Sequence, residues 1–329
     1  MRDLVSILIP CYNSAPWIGR AIETALAQTW PNKEVVVLDD GSTDGSFEVI
    51  QQYASQIRVA RQANRGQNAS RNRLTELSRG AWLAYLDADD EMSPDCVEKK
   101  MEFAQEADAV YGTVEVACFL DLEKTRYTVQ TAETFADPIV AAFWWSYPNT
   151  SSFMFRKAAV LDVGGWNAEI KNCTDYDLYF KLLIKNKRFR AAPESQTLYR
   201  QWSTSQAVYQ DPQRKLRTRL QVLWHAAHEF DAAGLLNNER REAFEQAAFG
   251  VVRMLYNFNP VVAHREYAKL IGWNPRFHPT AKTFSPTYRS VYKLAGFAVT
   301  EHLAYLARRL NPVTKPLPGV DPKTGLPYT

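Results

Sequence analysis

The chain has 329 residues, 46% hydrophobic and 23% charged, enough for one large α/β domain with an appendage or for two domains around a sizeable core. A formal net charge of +3 is too weak a bias to indicate a nucleic-acid partner. Cys11, Cys96, Cys118 and Cys173 are widely spaced with no C-x-x-C pair, which argues against a zinc site or a disulfide framework and for reduced thiols in the cytoplasm.

The apolar run Leu4 to Ile9 is too short for a signal-peptide core, and its β-branched character predicts a first strand covered on both faces. Ile18, Ile22, Ala25 and Leu26 follow at helical spacing. A second buried strand is expected at Glu34 to Leu38, then an acidic, glycine-rich turn and a helix through Phe47, Ile50 and Tyr53. A third strand at Ile57 to Ala60 precedes the helix of RQANRGQNASRNRLTEL, and GAWLAYLD supplies a fourth. Such alternation with short connections predicts a mostly parallel sheet whose ligands sit at the carboxyl ends of its strands. Further strands are expected in ADAVYGTVEVACFLD and FRAAPESQTLYRQW, with a helix from about Tyr176 between them. Beyond Asp211 the pattern turns helical, at about 212–231, 238–257, 260–271 and 287–310, and a proline-rich tail over 311–329 reads as extended or poorly ordered. No stretch approaches the roughly 20 apolar residues needed to span a bilayer, so a cytoplasmic location is expected, with any membrane contact peripheral and on the inner face.

The polar clusters Cys11–Ser14, Asp39–Asp44 and Asp87–Asp90 all fall at strand ends and should converge on one crevice. Within YLDADDEMSPD four carboxylates occupy the five positions from Asp87 to Glu91. Clustered like charges raise one another's pKa and need a cation or hydrogen-bond donors to offset them. If the strand stays extended, Asp87 and Asp89 face one side, and hard oxygen ligands of this kind suit Mg2+ or Mn2+. The plainer reading is that some of these acids, or Ser93, cap the helix opening near Pro94. Asp39 can accept a hydrogen bond from the ring N–H of uracil or thymine, or, with Asp40, Ser42 and Thr43, can shape a turn and an N-cap. Tyr12 can stack on a base with Asn13 nearby, or simply pack. Arg71 offers a planar donor to phosphate or base edges, or is a solvated helix arginine.

Taken together, VSILIPCYN, VVVLDDGSTDGS, ANRGQNASRNRL, GAWLAYLDADDEMSPD, FMFRKAAVLDVGGWNAEI, CTDYDLYFKL and YRQWSTS resemble, in order and spacing, the inverting glycosyltransferases of family 2 over residues 3–206. The resemblance implies a GT-A fold over 1–210 with a helical extension over 211–310, a nucleotide-sugar donor, and single displacement onto a hydroxyl of a glycan or lipid-linked acceptor. It implies that Pro10, Tyr12, Asn13 and Asp39 line the base and ribose pocket, and that Asn64, Gly66 and Arg71 belong to the loop beside the nucleotide. Asp87 then faces the ribose or the metal, Asp89 holds a divalent ion, Mn2+ or Mg2+, on the donor diphosphate, and Asp175 is the catalytic base. The plainer role for Asp175 is a first-turn helix acid.

Two departures stand out. Thr174 occupies the place of a frequent glutamate before the base, and Gln201 and Trp202 follow Tyr199-Arg200 where many relatives carry a histidine. Together they motivate an alternative, a catalytically impaired member that binds nucleotide-sugar or glycan. Neither a Q-x-x-R-W motif nor spans of a processive polysaccharide synthase are present. Among the aromatics on the expected acceptor side (Phe143, Trp144, Trp145, Tyr147, Trp166, Tyr176), Trp166 of GGWN is the candidate for a sugar contact and the others for core packing. Val291, Leu294, Ala298, Leu303, Leu306 and Leu310, with Arg308 and Arg309 behind them, sketch a helix face for packing, for a homodimer or for a membrane surface. His225 and His228, one turn apart, read as a solvated or half-buried pair rather than ligands.

Overall fold

The structure, a computed structural model, describes residues 3–119, 125–202, 211–280 and 283–310. The tail 311–329, Ser203-Thr204-Ser205 of the last motif, and the side chains of Trp202, Arg308, Arg309 and Leu310 lie outside the described residues. The chain divides into two compact units, Met1–Gln210 and Asp211–Thr329.

In the first unit the alternating pattern forms β1 (Val5–Cys11), α1 (Ile18–Leu26), β2 (Lys33–Asp39), α2 (Ser46–Gln51), β3 (Arg58–Arg61), α3 (Gln67–Leu77) and β4 (Trp82–Tyr85). Then come β5 (Glu91–Met92), α4 (Cys96–Met101), β6 (Ala109–Phe119), β7 (Thr125–Gln130), α5 (Pro138–Phe143), β8 (Phe153–Arg156), α6 (Lys157–Asp162), α7 (Thr174–Ile184) and β9 (Phe189–Trp202). Among the described residues they build one sheet in the order β3-β2-β1-β4-β8-β6-β9-β5, with β7 paired to β6. The first four strands in that order are mutually parallel, as the short helical crossovers require. Beyond β4 the sheet is mixed rather than mostly parallel, because β8 pairs antiparallel with both β4 and β6 while β6 and β9 run parallel. β1 is buried along its whole length, with Val5, Ile7 and Ile9 in the same core cluster as Ile18, Ile22 and Ala25 of α1. Side chains of this size contribute about 1.5–3 kcal/mol each on burial, so this strand anchors everything hung on its carboxyl end. Pro10 is tolerated there because β4 pairs only with Val5–Leu8 and asks no N–H of it.

Two local expectations change. Asp87–Asp90 is not an extended continuation of β4 but a turn, closed by the Asp90 N–H donating to the Asp87 carbonyl at 3.0 Å. Strand alternation therefore does not explain why Asp87 and Asp89 lie close. The helix expected from Tyr176 begins two residues earlier, at Thr174, which puts Asp175 in its first turn.

The second unit contains α8 (Pro212–Ala232), α9 (Asn238–Tyr256), α10 (Pro260–Trp273) and α11 (Pro286–Leu310). The first three begin on side-chain caps: Asp211 accepts from Arg214 N, Asn237 from Arg240 N and Asn259 from Val262 N. Their core joins Phe244, Phe249 and Leu255 of α9 to Leu220 and Leu223 of α8 and Leu270 of α10. In α11 a non-helical Gly296 (φ 73°) breaks the periodicity on which the apolar face was read. Phe297 packs inside, stacked on Tyr267 at 4.2 Å, while Leu294 is 87% exposed. No described helix is long and apolar enough to cross a membrane.

Candidate active site

The carboxyl ends of β1, β2 and β3 lie side by side, with Cys11, Asp39 and Arg61 in one row of the sheet register. Hydrogen bonds stitch the loops that follow. Asn13, in the left-handed region at φ 49°, accepts from Thr43 N at 2.9 Å and donates its own N–H to Ser42 Oγ, so its side chain joins two loops rather than standing free for a base. Asp44 accepts from Ala15 N, and Ser14 N donates to Ser46 Oγ. Tyr12 is 51% exposed at the rim of these loops, available for stacking. The Cys11 thiol beneath them is pushed up to about 12 by burial, and is inert.

Asp39 is fully buried and its Oδ2 lies 2.9 Å from Arg61 Nε without hydrogen-bond alignment, while Oδ1 accepts from Ser42 N at 3.2 Å. The carboxylate is thus enclosed between Arg61 and the Ser42 N–H. Asp40 faces the other way and ties down the loop carrying Asn64 and Gly66, accepting from Gln62 Nε2, Arg65 N and Gly66 N at 2.7–3.0 Å. Gly41, at φ 77°, lets that loop approach: a Cβ there would stand 2.9 Å from Asn64 N. Asn64 is exposed, and Gly66 opens α3.

α3 sends Arg71 inward, where it is buried against Trp166 with its guanidinium 4.5 Å from the ring centroid. Arg71 Nη2 donates to Asp87 Oδ1 at 2.7 Å and Nη1 to Thr174 Oγ1 at 3.3 Å, which joins the β4 turn to the start of α7. Thr174, the departure from the family pattern, is thus a contact of Arg71. Trp166 is only 2% exposed, gripped through its backbone by Asn72. A ring so enclosed supports Arg71 and is closed to the sugar contact expected of it. Of the other aromatics, Phe143, Tyr147 and Tyr176 are core residues, and Trp144 is exposed.

Each carboxylate of the Asp87–Glu91 run has a different fate. Asp87 is ion-paired with Arg71. Asp90, fully buried, accepts from Ser151 Oγ at 2.6 Å, Arg200 N at 3.1 Å and Asn149 Nδ2 at 3.3 Å. It pins the turn to β9 and to the Thr150–Ser152 turn, and does not cap the next helix as expected, because that helix starts at Cys96, beyond its reach. Burial, then Asp89 and Asp87, raise its pKa well above the usual aspartate range. Glu91 pairs with Arg200 and with Arg20 Nε at 2.8 Å. Asp89 alone of the run has no side-chain hydrogen bond or ion pair to another residue among the described residues; Arg200 donates to its backbone carbonyl at 2.7 Å, and the Arg200 charge and the Asp89 N–H only partly offset the carboxyl. Burial and the neighbouring Asp87 lift the Asp89 carboxyl from 3.8 to about 6.

This donor set fits a hard divalent cation: Asp89 is a carboxylate with no salt-bridge partner among the described residues, beside a second one, and Mg2+ and Mn2+ are commonly held by one or two carboxylates plus substrate phosphates. No group of three or more His, Cys, Asp or Glu that would form an all-protein cage occurs among the described residues. Asp175 lies in the first turn of α7, its Oδ1 accepting from Tyr176 N at 3.1 Å. Burial raises its pKa, Arg71 opposes the rise, and Asp87 adds to it. Hydrogen bonds thus join the 12–15 loop to 42–46, Asp40 to the 62–66 loop, and Arg71 and Gln67 of α3 to Asp87, with Arg71 also reaching Thr174.

Residues 6–164 match the family model described as Glycosyl transferase family 2. The first unit belongs to glycosyltransferase family 2. This family 2 unit is 27% identical over 215 residues to the uncharacterized glycosyltransferase YibD of Escherichia coli K12, covering 62% of this chain and 62% of YibD. It is 33% identical over 188 residues to an Escherichia coli chondroitin synthase, covering 54% of this chain and 26% of that protein. The chain thus spans less than two thirds of these relatives. In fold it is similar to S. aureus TarS 1-349 in complex with UDP, with a TM-score of 0.55 at 17% identity, over 82% of this chain and 88% of that one. The likeness identifies the sheet and its helices as a GT-A fold.

Arg61 and Arg200 are the site residues that sequence reasoning missed. Arg61 was legible only as the residue following the third strand, and Arg200 only as half of the Tyr-Arg pair. Neither signal names an ionic partner, since Asp39 and Glu91 are remote in sequence.

Proposed function

We propose that this protein is an inverting glycosyltransferase that moves a sugar from a UDP- or TDP-sugar to a hydroxyl of a glycan or lipid-linked acceptor in polysaccharide assembly. The observation that carries the reading is the state of the Asp87–Glu91 run: three carboxylates are satisfied within the protein and Asp89 is left for a ligand of opposite charge. A Mn2+ or Mg2+ ion held by Asp89, with Asp87 beside it, would supply Lewis-acid stabilisation of the diphosphate charge that develops as the sugar departs. Asp39, at the end of β2, accepts the ring N–H of uracil or thymine once Arg61, half-exposed on its Oδ2, moves aside, and Tyr12 stacks on the base. The UDP bound in the TarS structure favours uridine among the donors.

Asp175 takes the proton of the attacking hydroxyl. Its raised pKa makes it a stronger base than an ordinary aspartate, and Arg71 opposes that rise while holding Asp87 in place. Single displacement inverts the anomeric centre because the base and the leaving diphosphate act on opposite faces of the sugar. Leu294, Val299, Leu303 and Leu306, exposed along α11, support contact of that helix with a membrane surface or a second copy.

Calorimetric titration with UDP, TDP and GDP, with and without Mn2+, tests the reading. Metal-dependent binding of UDP or TDP that Asp89→Ala abolishes is expected; absence of binding by every nucleotide would sink it.

A further inference from the structure

The second unit holds a groove of about 750 Å3 between α8 and α10, lined by Arg217, Trp224, His228, Arg265, Lys269 and Trp273 among others. We propose that this groove binds a segment of an acidic glycan chain, with sugar rings on the indoles and the chain's anionic groups on the guanidinium and ammonium groups. The proposal rests on the reading of the protein as a transferase acting on a glycan, and adds a holding site remote in sequence from every residue assigned to the transfer.

Two independent features of the groove converge on this ligand. The first is charge. Three cations and one carboxylate, Glu266, line it. Lys269 at 2.9 Å and Arg265 at 3.4 Å both contact Glu266, which neutralises the carboxylate and leaves excess positive charge. Arg217, exposed on α8, has no hydrogen bond or ion pair among the described residues, so its guanidinium can take a carboxylate or phosphate in bidentate fashion without breaking a bond in the protein. The second feature is the aromatic wall. Trp224 and Trp273 meet edge to face at 5.7 Å, and His228 lies over Trp224 with a centroid distance of 5.8 Å. Rigid indoles flanked by cations suit the C–H faces of pyranose rings, whose hydroxyls stay in water, better than an apolar peptide, which would leave the cations desolvated and unpaired. The volume falls within the range of sites that enclose small ligands, enough for a short stretch of a chain rather than a folded partner.

The test is titration of the full chain, followed by tryptophan fluorescence, with three probes of equal length: an unsulfated hexuronate-containing oligosaccharide, an oligomer of phosphodiester-linked pyranoses and neutral dextran. At least one anionic probe is expected to bind and dextran to bind at least about tenfold more weakly, with Arg217→Glu weakening the anionic probe by about tenfold or more, the scale of one charge-assisted contact. Which anionic probe binds distinguishes carboxylate from phosphate recognition. Equal binding of dextran, or undiminished binding by a folded Arg217→Glu with unchanged circular dichroism, overturns the proposal. A folded Trp224→Phe, which keeps an aromatic face, is the second variant and should weaken binding less than Arg217→Glu. Parallel titration of the unmodified protein with UDP and Mn2+ separates the two readings: UDP binding without any anionic chain binding refutes the groove alone, and chain binding without UDP refutes the transfer reading.

Discussion

At the scale of single residues, the site is set by how buried carboxylates are neutralised. Asp89, raised to about 6 in the folded protein, is protonated there more readily than in the unfolded chain. Its contribution is therefore fully favourable below the unfolded value of 3.8 and is lost as pH rises through about 6. Asp89→Asn should leave stability unchanged near the lower value, raise it progressively between the two, and raise it by a constant amount of about 1–3 kcal/mol above, as read from urea unfolding at a series of pH values. Saturating UDP and Mn2+ should stabilise the native protein and not the variant. For Asp175 the sign runs through activity: transfer needs the ionised form, so the acid limb of kcat/KM should lie above the ordinary aspartate range, and Arg71→Met should move it higher still. Asp175→Asn should cost roughly 10²–10⁴ in kcat with UDP binding retained; transfer at the native rate would mean the base lies elsewhere.

At the scale of elements, strands and helices were read closely because burial on two faces and 3.6-residue periodicity are local signals. What failed was the geometry between them. The Asp87–Asp90 segment, expected to be extended, turns so that Asp90 can meet the Thr150–Ser152 turn and β9, partners some 60 and 110 residues away. Trp166 was read as a sugar platform, yet α3 covers it with Arg71. The close approach of the Asp40–Asp44 turn to the Asn64 loop makes its own prediction: Gly41→Ala, with φ 77° and a Cβ 2.9 Å from backbone, should destabilise by about 1–3 kcal/mol and weaken UDP binding by displacing Asn64. Asn237→Ala, which removes only the α9 cap, should cost about 1 kcal/mol of stability and leave UDP binding untouched.

At the scale of the whole molecule, every residue assigned to donor binding and proton transfer belongs to the first of the two units. Residues 1–210 expressed alone should therefore bind UDP and Mn2+ as the full chain does, measured by calorimetry; a loss of about tenfold or more, 1.4 kcal/mol, would give the helical unit a part in the donor site. The sequence by itself determined the order of strands and helices, the parallel start of the sheet and the family, since each depends on contiguous patterns of burial, turn chemistry and motif spacing. Only the tertiary structure decided which of the clustered acids has no ion-pair partner among the described residues, that Thr174 meets Arg71, that Arg61 flanks Asp39, and that Trp166 is enclosed. Those outcomes depend on pairings between segments far apart in the chain, where the free energy of a buried charge is set by whichever donor the fold brings within about 3 Å.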